Sequence, residues 1–269
     1  MKKINWVHKI PLRNNFVTPG EWDNLLEDID IDFRNKRVLD VGCLDGQYTF
    51  YAEKKGAREV VSIDLIEKKK VKGSYPQSAY TSEGYLYAHK KLKSRAKYIF
   101  PFSIYDVTKE QFGEFDIVLF LGVLYHLAHP LYAFEVINRI LKKNGTLVFE
   151  TERSKTLTSF YRDFQFKNKP KVTLKKAPLR TKIKARMIDA AKILGSNSAI
   201  YNKDSSIFWV PTKSDLEKFI DFSGFKIYQV MEDPTSNRIT YIVRKMKEPD
   251  PTYAVRSKYT TYKNRNSTL

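Results

Sequence analysis

The stretch Val38-Leu39-Asp40-Val41-Gly42-Cys43-Leu44-Asp45-Gly46 constrains the fold more than any other part of the chain. Its apolar run lacks the alternation of a half-solvated strand and reads as a strand buried on both faces. It ends at a glycine, and a helical pattern from Gln47 to Lys55 follows, stopped by Gly56. Strand, glycine turn and helix in immediate succession open a parallel α/β sheet that binds ligands at its carboxyl edge. Gly42 permits the sharp turn, and Gly46 lets the helix approach the strand.

The same rhythm continues. Val60 to Asp64 is the second strand, Ser82 to Lys97 a helix, Tyr98 to Tyr105 the third strand and Phe115 to Leu121 the fourth. Pro130 to Leu141 is a helix with Leu131, Phe134, Ile137 and Leu141 at helical spacing, closed by Asn144-Gly145. Thr146 to Glu150 is the fifth strand. A helix from Ser214 to Ser223, capped by Ser214 with Glu217 three residues on, precedes Phe225 to Met231 and Ile239 to Val243, read as an antiparallel pair. The expected fold class is α/β, a Rossmann-like doubly wound sheet of about seven strands with a basic insertion after the fifth. The chain divides into a leading segment (1–36), a ligand-binding core (37–151), the insertion (152–206), the closing helix and strands (207–248) and a polar tail (249–269).

At 269 residues the chain fits one α/β domain with insertions. No apolar run approaches the ~20 residues that a membrane helix needs, and no apolar core follows the basic start. A soluble, cytoplasmic protein without a membrane partner is expected. The single cysteine, Cys43, can form no intrachain disulfide and makes no metal site. Lysine and arginine number 48 against 30 acidic residues, a net charge of +18. Such a field favours polyanionic partners, although basic composition also serves solubility alone.

A dinucleotide site wants three glycines around a pyrophosphate. Here Asp40 precedes the turn and Asp45 sits inside it, and both would repel a pyrophosphate. Asp40 suits the ammonium of an amino acid. Asp64 ends the second strand 24 residues later, where a carboxylate accepts hydrogen bonds from ribose hydroxyls. These features favour S-adenosylmethionine over a nicotinamide cofactor.

Residues 1–150 resemble class I S-adenosylmethionine-dependent methyltransferases. Gly122-Val123-Leu124-Tyr125-His126 followed by Pro130-Leu131, and Leu147-Val148-Phe149-Glu150-Thr151, resemble the branch that contains the bacterial tRNA wobble-uridine (5-oxyacetate) carboxymethyltransferases. Phe208-Trp209-Val210-Pro211-Thr212, Ser223-Gly224-Phe225, His8-Lys9-Ile10-Pro11-Leu12 and Thr18-Pro19-Gly20 are similar to that branch as well. The resemblance implies that Asp40, Gly42, Cys43 and Gly46 line the methionine end of the cofactor. It implies that Asp64 and Leu65 hold the ribose, that Ile104 and Tyr105 flank the adenine, and that Leu121 and Gly122 lie beside the sulfonium. In the tRNA enzymes a lysine, a tyrosine and an arginine grip the extra carboxylate of carboxy-S-adenosylmethionine. Lys9, Tyr125 and Arg238 stand at the matching motifs. Leu44 replaces the usual middle glycine of the turn, which suits a negative φ, and Trp22 has no matching lysine near it. Unmodified and carboxylated cofactor therefore both stay open.

The chemistry expected is in-line displacement at a sulfonium carbon. Tyr125 and His126 leave the fourth strand where the methyl group should lie, and His126 titrates near neutral pH and could take the acceptor's proton. The competing reading has His126 capping the following helix or pairing with Glu150. Tyr125 is equally a core tyrosine, and Arg238 equally a surface strand arginine. Lys167 to Arg186 holds nine basic residues and no acidic one. Among them Lys175, Lys176 and Arg180 would contact substrate, and Phe160, Tyr161, Phe164 and Phe166 precede them, a pattern that suits phosphate contact and base stacking. A solvated lid is the plainer reading. The expected function is methyl transfer to an oxygen acceptor, either RNA such as a tRNA wobble uridine or a small anionic molecule or sugar. A non-catalytic S-adenosylmethionine-binding module is the rival. The sequence is compatible with a homo-oligomer.

Overall fold

In the computed structural model the residues described are 4–13, 15–21, 24–65, 82–155, 160–161, 207 and 209–249. Lys175, Lys176, Arg180 and the rest of the basic run lie outside them, as do Trp22, Phe164, Phe166 and the tail from residue 250.

The strands are β1 (Arg37–Val41), β2 (Glu59–Ile63), β3 (Lys97–Ile99), β4 (Phe115–Leu121), β5 (Leu141–Glu152), β6 (Phe160–Tyr161), β7 (Trp209–Val210), β8 (Phe225–Glu232) and β9 (Arg238–Lys245). The helices are α1 (Gln47–Lys54), α2 (Glu83–Leu92), α3 (Lys109–Phe112), α4 (Pro130–Ile140) and α5 (Lys213–Phe222). Seven strands form one sheet in the order β3-β2-β1-β4-β5-β9-β8. The first five run parallel, and β9 pairs antiparallel with β5 and with β8. The chain reverses direction across the sheet between β1 and β4, the place where open α/β sheets bind ligands.

Both faces of the sheet are covered, which is why its central strands are apolar throughout. Val38 and Ile117 pack with Leu26, Phe33 and Ala52 on the side of α1 and the leading segment. Leu39 and Val118 join Phe134, Leu216 and Phe219 on the side of α4 and α5. Phe134 holds this second layer together, with edge contacts to Phe149, Phe219 and Phe225 at ring distances of 5.1, 4.6 and 5.9 Å. No helix among the described residues is long and apolar enough to cross a membrane.

Several expected boundaries move. The helix α2 stops at Leu92 rather than Lys97, because Lys93 takes a left-handed conformation (φ 54°) and its amide caps the last turn. Strand β3 is only three residues long. Pro101 has no N–H to give a ladder, and Ile104–Asp106 is a 3-10 turn capped by Ser103. Asn144-Gly145 does not close α4. The helix ends at Ile140, β5 begins at once, and Asn144 (φ 61°) lies inside β5 where its register with β4 shifts. The cap of α5 is Thr212, whose hydroxyl accepts from Asp215 N–H, and not Ser214.

Strands β6 and β7 form a separate antiparallel ladder, Phe160 opposite Val210 and Tyr161 opposite Trp209. Ser154 bridges Thr212 just outside it. Both ends of the insertion are thereby held together beyond the end of β5.

Candidate active site

The turn after β1 is built as the sequence predicts. Gly42 has φ 71°, and a Cβ there would lie 2.5 Å from Val123 Cγ2. The turn after β1 and the turn after β4 therefore touch at Gly42 and Val123. Gly46 (φ 91°) is the N-cap of α1. Leu44, however, has φ 46°. The expectation of a negative φ was wrong. A non-glycine residue in this region costs about 1–2 kcal/mol, and a hydrogen bond from Leu44 N–H to Asp64 Oδ2 (2.8 Å) holds it there.

Three buried carboxylates ring this turn: Asp40, Asp45 and Asp64. Asp40 ends a chain of donors. Tyr85 gives its proton to Ser62 Oγ (3.1 Å), Ser62 and Thr49 share a 2.7 Å contact, and Thr49 donates to Asp40 Oδ2 at 2.6 Å. Burial raises the Asp40 carboxyl to about 7, against the pull of Thr49. Burial also pushes the Cys43 thiol well up, so it is no nucleophile at neutral pH. Asp45 does something the sequence did not reveal. It accepts Val7 N–H (2.8 Å) and His8 N–H (3.0 Å), and a very short contact joins its other oxygen to His8 Nδ1. The leading segment is thus strapped across the cofactor turn. Thr18 Oγ1 bonds His8 O (2.5 Å), and Gly20 packs so closely on His8 that a Cβ would meet its carbonyl at 2.2 Å.

Ile104 is buried beneath this edge, and Tyr105 lies half-buried beside it. Tyr105's hydroxyl accepts His129 N–H at 3.0 Å. Leu65 is 63% exposed at the end of the described segment that follows β2. His129 is the N-cap of α4.

The second half of the site gathers around Gly122, where β4 ends with φ 73°. Arg238 Nη1 donates to both oxygens of Glu150, at 2.6 and 2.7 Å, and its Nη2 donates to Tyr125 Oη at 3.2 Å. The hydroxyl of Tyr125 accepts that bond and keeps its own proton for another acceptor. Burial raises the Tyr125 phenol to about 12 despite Arg238, so it stays protonated. Burial likewise pushes Glu150 upward against the pull of Arg238. Burial alone would lower Arg238, but Glu150 and Tyr125 hold it above its usual value and keep the guanidinium charged. The Tyr125 side chain packs on Ile207 and Val210, the returning arm of the insertion's stem. The resemblance grouped Lys9, Tyr125 and Arg238 around one carboxylate, and the structure joins Tyr125 and Arg238; the reading of the residues also left a Glu150–His126 pairing open. The partner of Glu150 is Arg238. The His126 ring lies against Tyr125 at a centroid distance of 4.2 Å. Lys9 is exposed beside α1, where its carbonyl accepts Gln47 Nε2 at 3.2 Å.

The donor set fits S-adenosylmethionine. The ligand brings an ammonium and a sulfonium, and the edge offers buried carboxylates at Asp40 and Asp64 around a glycine turn whose backbone approaches closely. Among the described residues no three or more His, Cys, Asp or Glu side chains are placed to hold a metal ion together.

The comparisons with known proteins agree. Residues 17–230 match a family described as the methyltransferase domain. A tRNA U34 carboxymethyltransferase of Psychromonas ingrahamii is 29% identical over 145 residues, 54% of this chain and 40% of that protein. One from Pseudomonas aeruginosa strain LESB58 is 32% identical over 121 residues, 45% of this chain and 34% of that protein. The match thus spans less than half the length of these relatives. An S-adenosylmethionine dependent methyltransferase structure from Mesorhizobium loti shares the fold with a TM-score of 0.52 at 15% identity, covering 81% of this chain and 95% of that one. The 1,6-didemethyltoxoflavin-N1-methyltransferase of Burkholderia thailandensis, solved with S-adenosylhomocysteine, gives a TM-score of 0.51 at 16% identity over 80% and 72% of the two chains. With the family match spanning most of its length, the chain belongs to the methyltransferase domain family.

Proposed function

We propose that this enzyme methylates an oxygen atom of RNA, with a tRNA wobble uridine as the first candidate. The observation that carries the reading is the joining of the Tyr125–Arg238–Glu150 cluster to the stem of the basic insertion, directly beside the cofactor turn. An acceptor held by that insertion would be delivered to the end of β4. The names of the sequence relatives support the RNA class.

The bound cofactor supplies an electrophilic methyl group on a sulfonium. In this reading Asp40 would hold the ammonium, Asp64 and Leu65 would hold the ribose, Ile104 and Tyr105 would flank the adenine, and Leu121 and Gly122 would line the sulfonium end. Gly42, Cys43 and Gly46 shape the methionine end. Tyr125 donates its free proton to the acceptor and orients it, and an imidazole nitrogen of His126 takes the acceptor's proton as the new oxygen–carbon bond forms. Lys175, Lys176 and Arg180 would contact phosphates, and Lys9 the flank of the substrate. Arg238 already binds both oxygens of a buried glutamate, which supports unmodified S-adenosylmethionine over its carboxylated form.

The test is transfer of label from methyl-labelled S-adenosylmethionine into bulk tRNA, run beside a small-metabolite extract, with His126→Ala as control. Label in tRNA that fades steeply with salt is expected, because phosphate contacts release counterions. Label confined to the metabolite fraction would overturn the RNA reading and leave a small anionic acceptor.

A further inference from the structure

Asp45 sits between two residues of the turn after β1 that are left-handed, Leu44 at φ 46° and Gly46 at φ 91°. Glycine takes such a conformation freely and leucine does not. A strained residue keeps its shape only where its surroundings over-determine it. Asp64 pins one side of the strained residue by accepting Leu44 N–H. The other side is pinned through the Asp45 side chain. Its Oδ2 accepts Val7 N–H and His8 N–H, and its Oδ1 stands against His8 Nδ1. Both oxygens of this buried carboxylate are thus turned to the leading segment. The helix α2 closes in behind, where a Cβ at Gly84 would lie 3.2 Å from Asp45 Cβ.

Such a link holds a turn only if its far end is itself fixed. The two arms of the leading segment, residues 7–12 and 16–21, are laced together around His8. Glu21 N–H bonds Val7 O at 3.1 Å, and Thr18 N–H bonds Ile10 O at 3.1 Å. Thr18 Oγ1 receives Ile10 N–H at 2.8 Å and donates to His8 O. Gly20 lies on the His8 backbone with no room for a side chain. The Gln47 side chain ties the first residue of α1 to Lys9 O in the same arm. The turn is therefore clamped between Asp64 on the sheet and a laced segment that reaches it through His8.

We propose that the His8–Asp45 link is a brace that presets this turn for its ligand. His8 and Asp45 are positioning residues: they act on S-adenosylmethionine through the backbone of Leu44 and Gly46, which they hold in the receiving shape. The inference rests on reading this edge as the S-adenosylmethionine site, and not on RNA as the acceptor. Without the brace Leu44 relaxes to a negative φ in most molecules. Only the fraction still in the receiving shape takes up ligand, and affinity falls by that fraction.

Calorimetry of S-adenosylhomocysteine binding, at a temperature where circular dichroism shows every variant folded, separates this role from mere support of the fold. His8→Ala is expected to weaken binding by about ten-fold, the scale of the strain at a left-handed leucine. His8→Asn, which offers an N–H donor at nearly the reach of Nδ1, recovers most of that loss. Leu44→Gly added to His8→Ala also recovers most of it, because glycine holds a positive φ without strain. Gly20→Ala leaves the His8 ring and Asp45 intact but displaces the His8 backbone, and weakens binding in the same sense. It carries the test if His8→Ala does not fold. Asn138→Ala removes ties to Ser223 O and Lys247 O at the opposite edge of the sheet. It lowers the melting temperature and leaves binding unchanged. Unchanged binding in His8→Ala, or a loss that Leu44→Gly does not repair, overturns the brace while the site stands. A wild type that binds no S-adenosylhomocysteine overturns the site and the brace with it.

Discussion

The two halves of the site are built in opposite ways. The half proposed to hold the cofactor comes from one short stretch, Asp40 to Gly46, plus Asp64, and consists of backbone shape and carboxylates held in by local hydrogen bonds. The half proposed to face the acceptor comes from three distant stretches, Tyr125, Glu150 and Arg238, and is held by one guanidinium. A half made of backbone geometry fails by losing its ligand. A half made of a buried ion pair fails by losing stability, since each partner alone is a buried charge.

The largest expected effect is therefore on folding and lies in the acceptor half. Glu150→Ala strands the Arg238 charge and costs about 3–5 kcal/mol, measured by urea unfolding. The double variant with Arg238→Met recovers much of that loss. If the single and double variants are equally unstable, the pair is not what ties this half together.

Gly42→Ala tests the other half. Its Cβ would have to displace Val123 and hold a positive φ. We expect binding of S-adenosylhomocysteine to fall by about a hundred-fold, from about 2–3 kcal/mol of strain and overpacking, with a smaller loss of melting temperature. A loss of stability without loss of binding would erase the contrast between the halves.

Asp40 gives a pH signature peculiar to the cofactor half. Its carboxyl is raised from 3.8 to about 7 by burial. The folded protein therefore holds this proton more tightly than the unfolded chain. Its contribution to the stability of the ligand-free protein is fully present below about pH 4 and is lost as pH rises through about 7. A cationic ligand prefers the ionised form, so binding near pH 7 should release a proton and affinity should fall as pH drops below that value. Calorimetry in buffers of different ionisation enthalpy reads the proton directly, and Asp40→Asn should abolish it. The smallest effect is Leu44→Gly, which relieves the Cβ strain of a positive φ and should stabilise by up to about 1 kcal/mol. A lower melting temperature would show that the leucine side chain matters more than its strained backbone.

The same contrast explains what could be read before the structure. The β1 turn, Asp64 and the five-unit rhythm are contiguous signals, and the sheet order follows from them. The Glu150–Arg238 pair depends on the register of β5 against β9, where Glu152 faces Arg238 and Glu150 faces Thr240. No local pattern encodes that register, so the sequence named His126, and not Arg238, as a possible partner of Glu150. Asp45 was read for its charge alone. Its role as the anchor for His8, 37 residues earlier, is a tertiary fact.

The β6–β7 ladder has a consequence for how such enzymes diversify. The chain leaves at Tyr161 and returns at Trp209 as neighbours in one ladder. The cost of closing a loop grows only with the logarithm of its length. The span between these two strands can therefore be shortened, lengthened or exchanged like a cassette in a fixed socket, with the sheet and the methyl donor untouched. A change of clientele would need no change of machine.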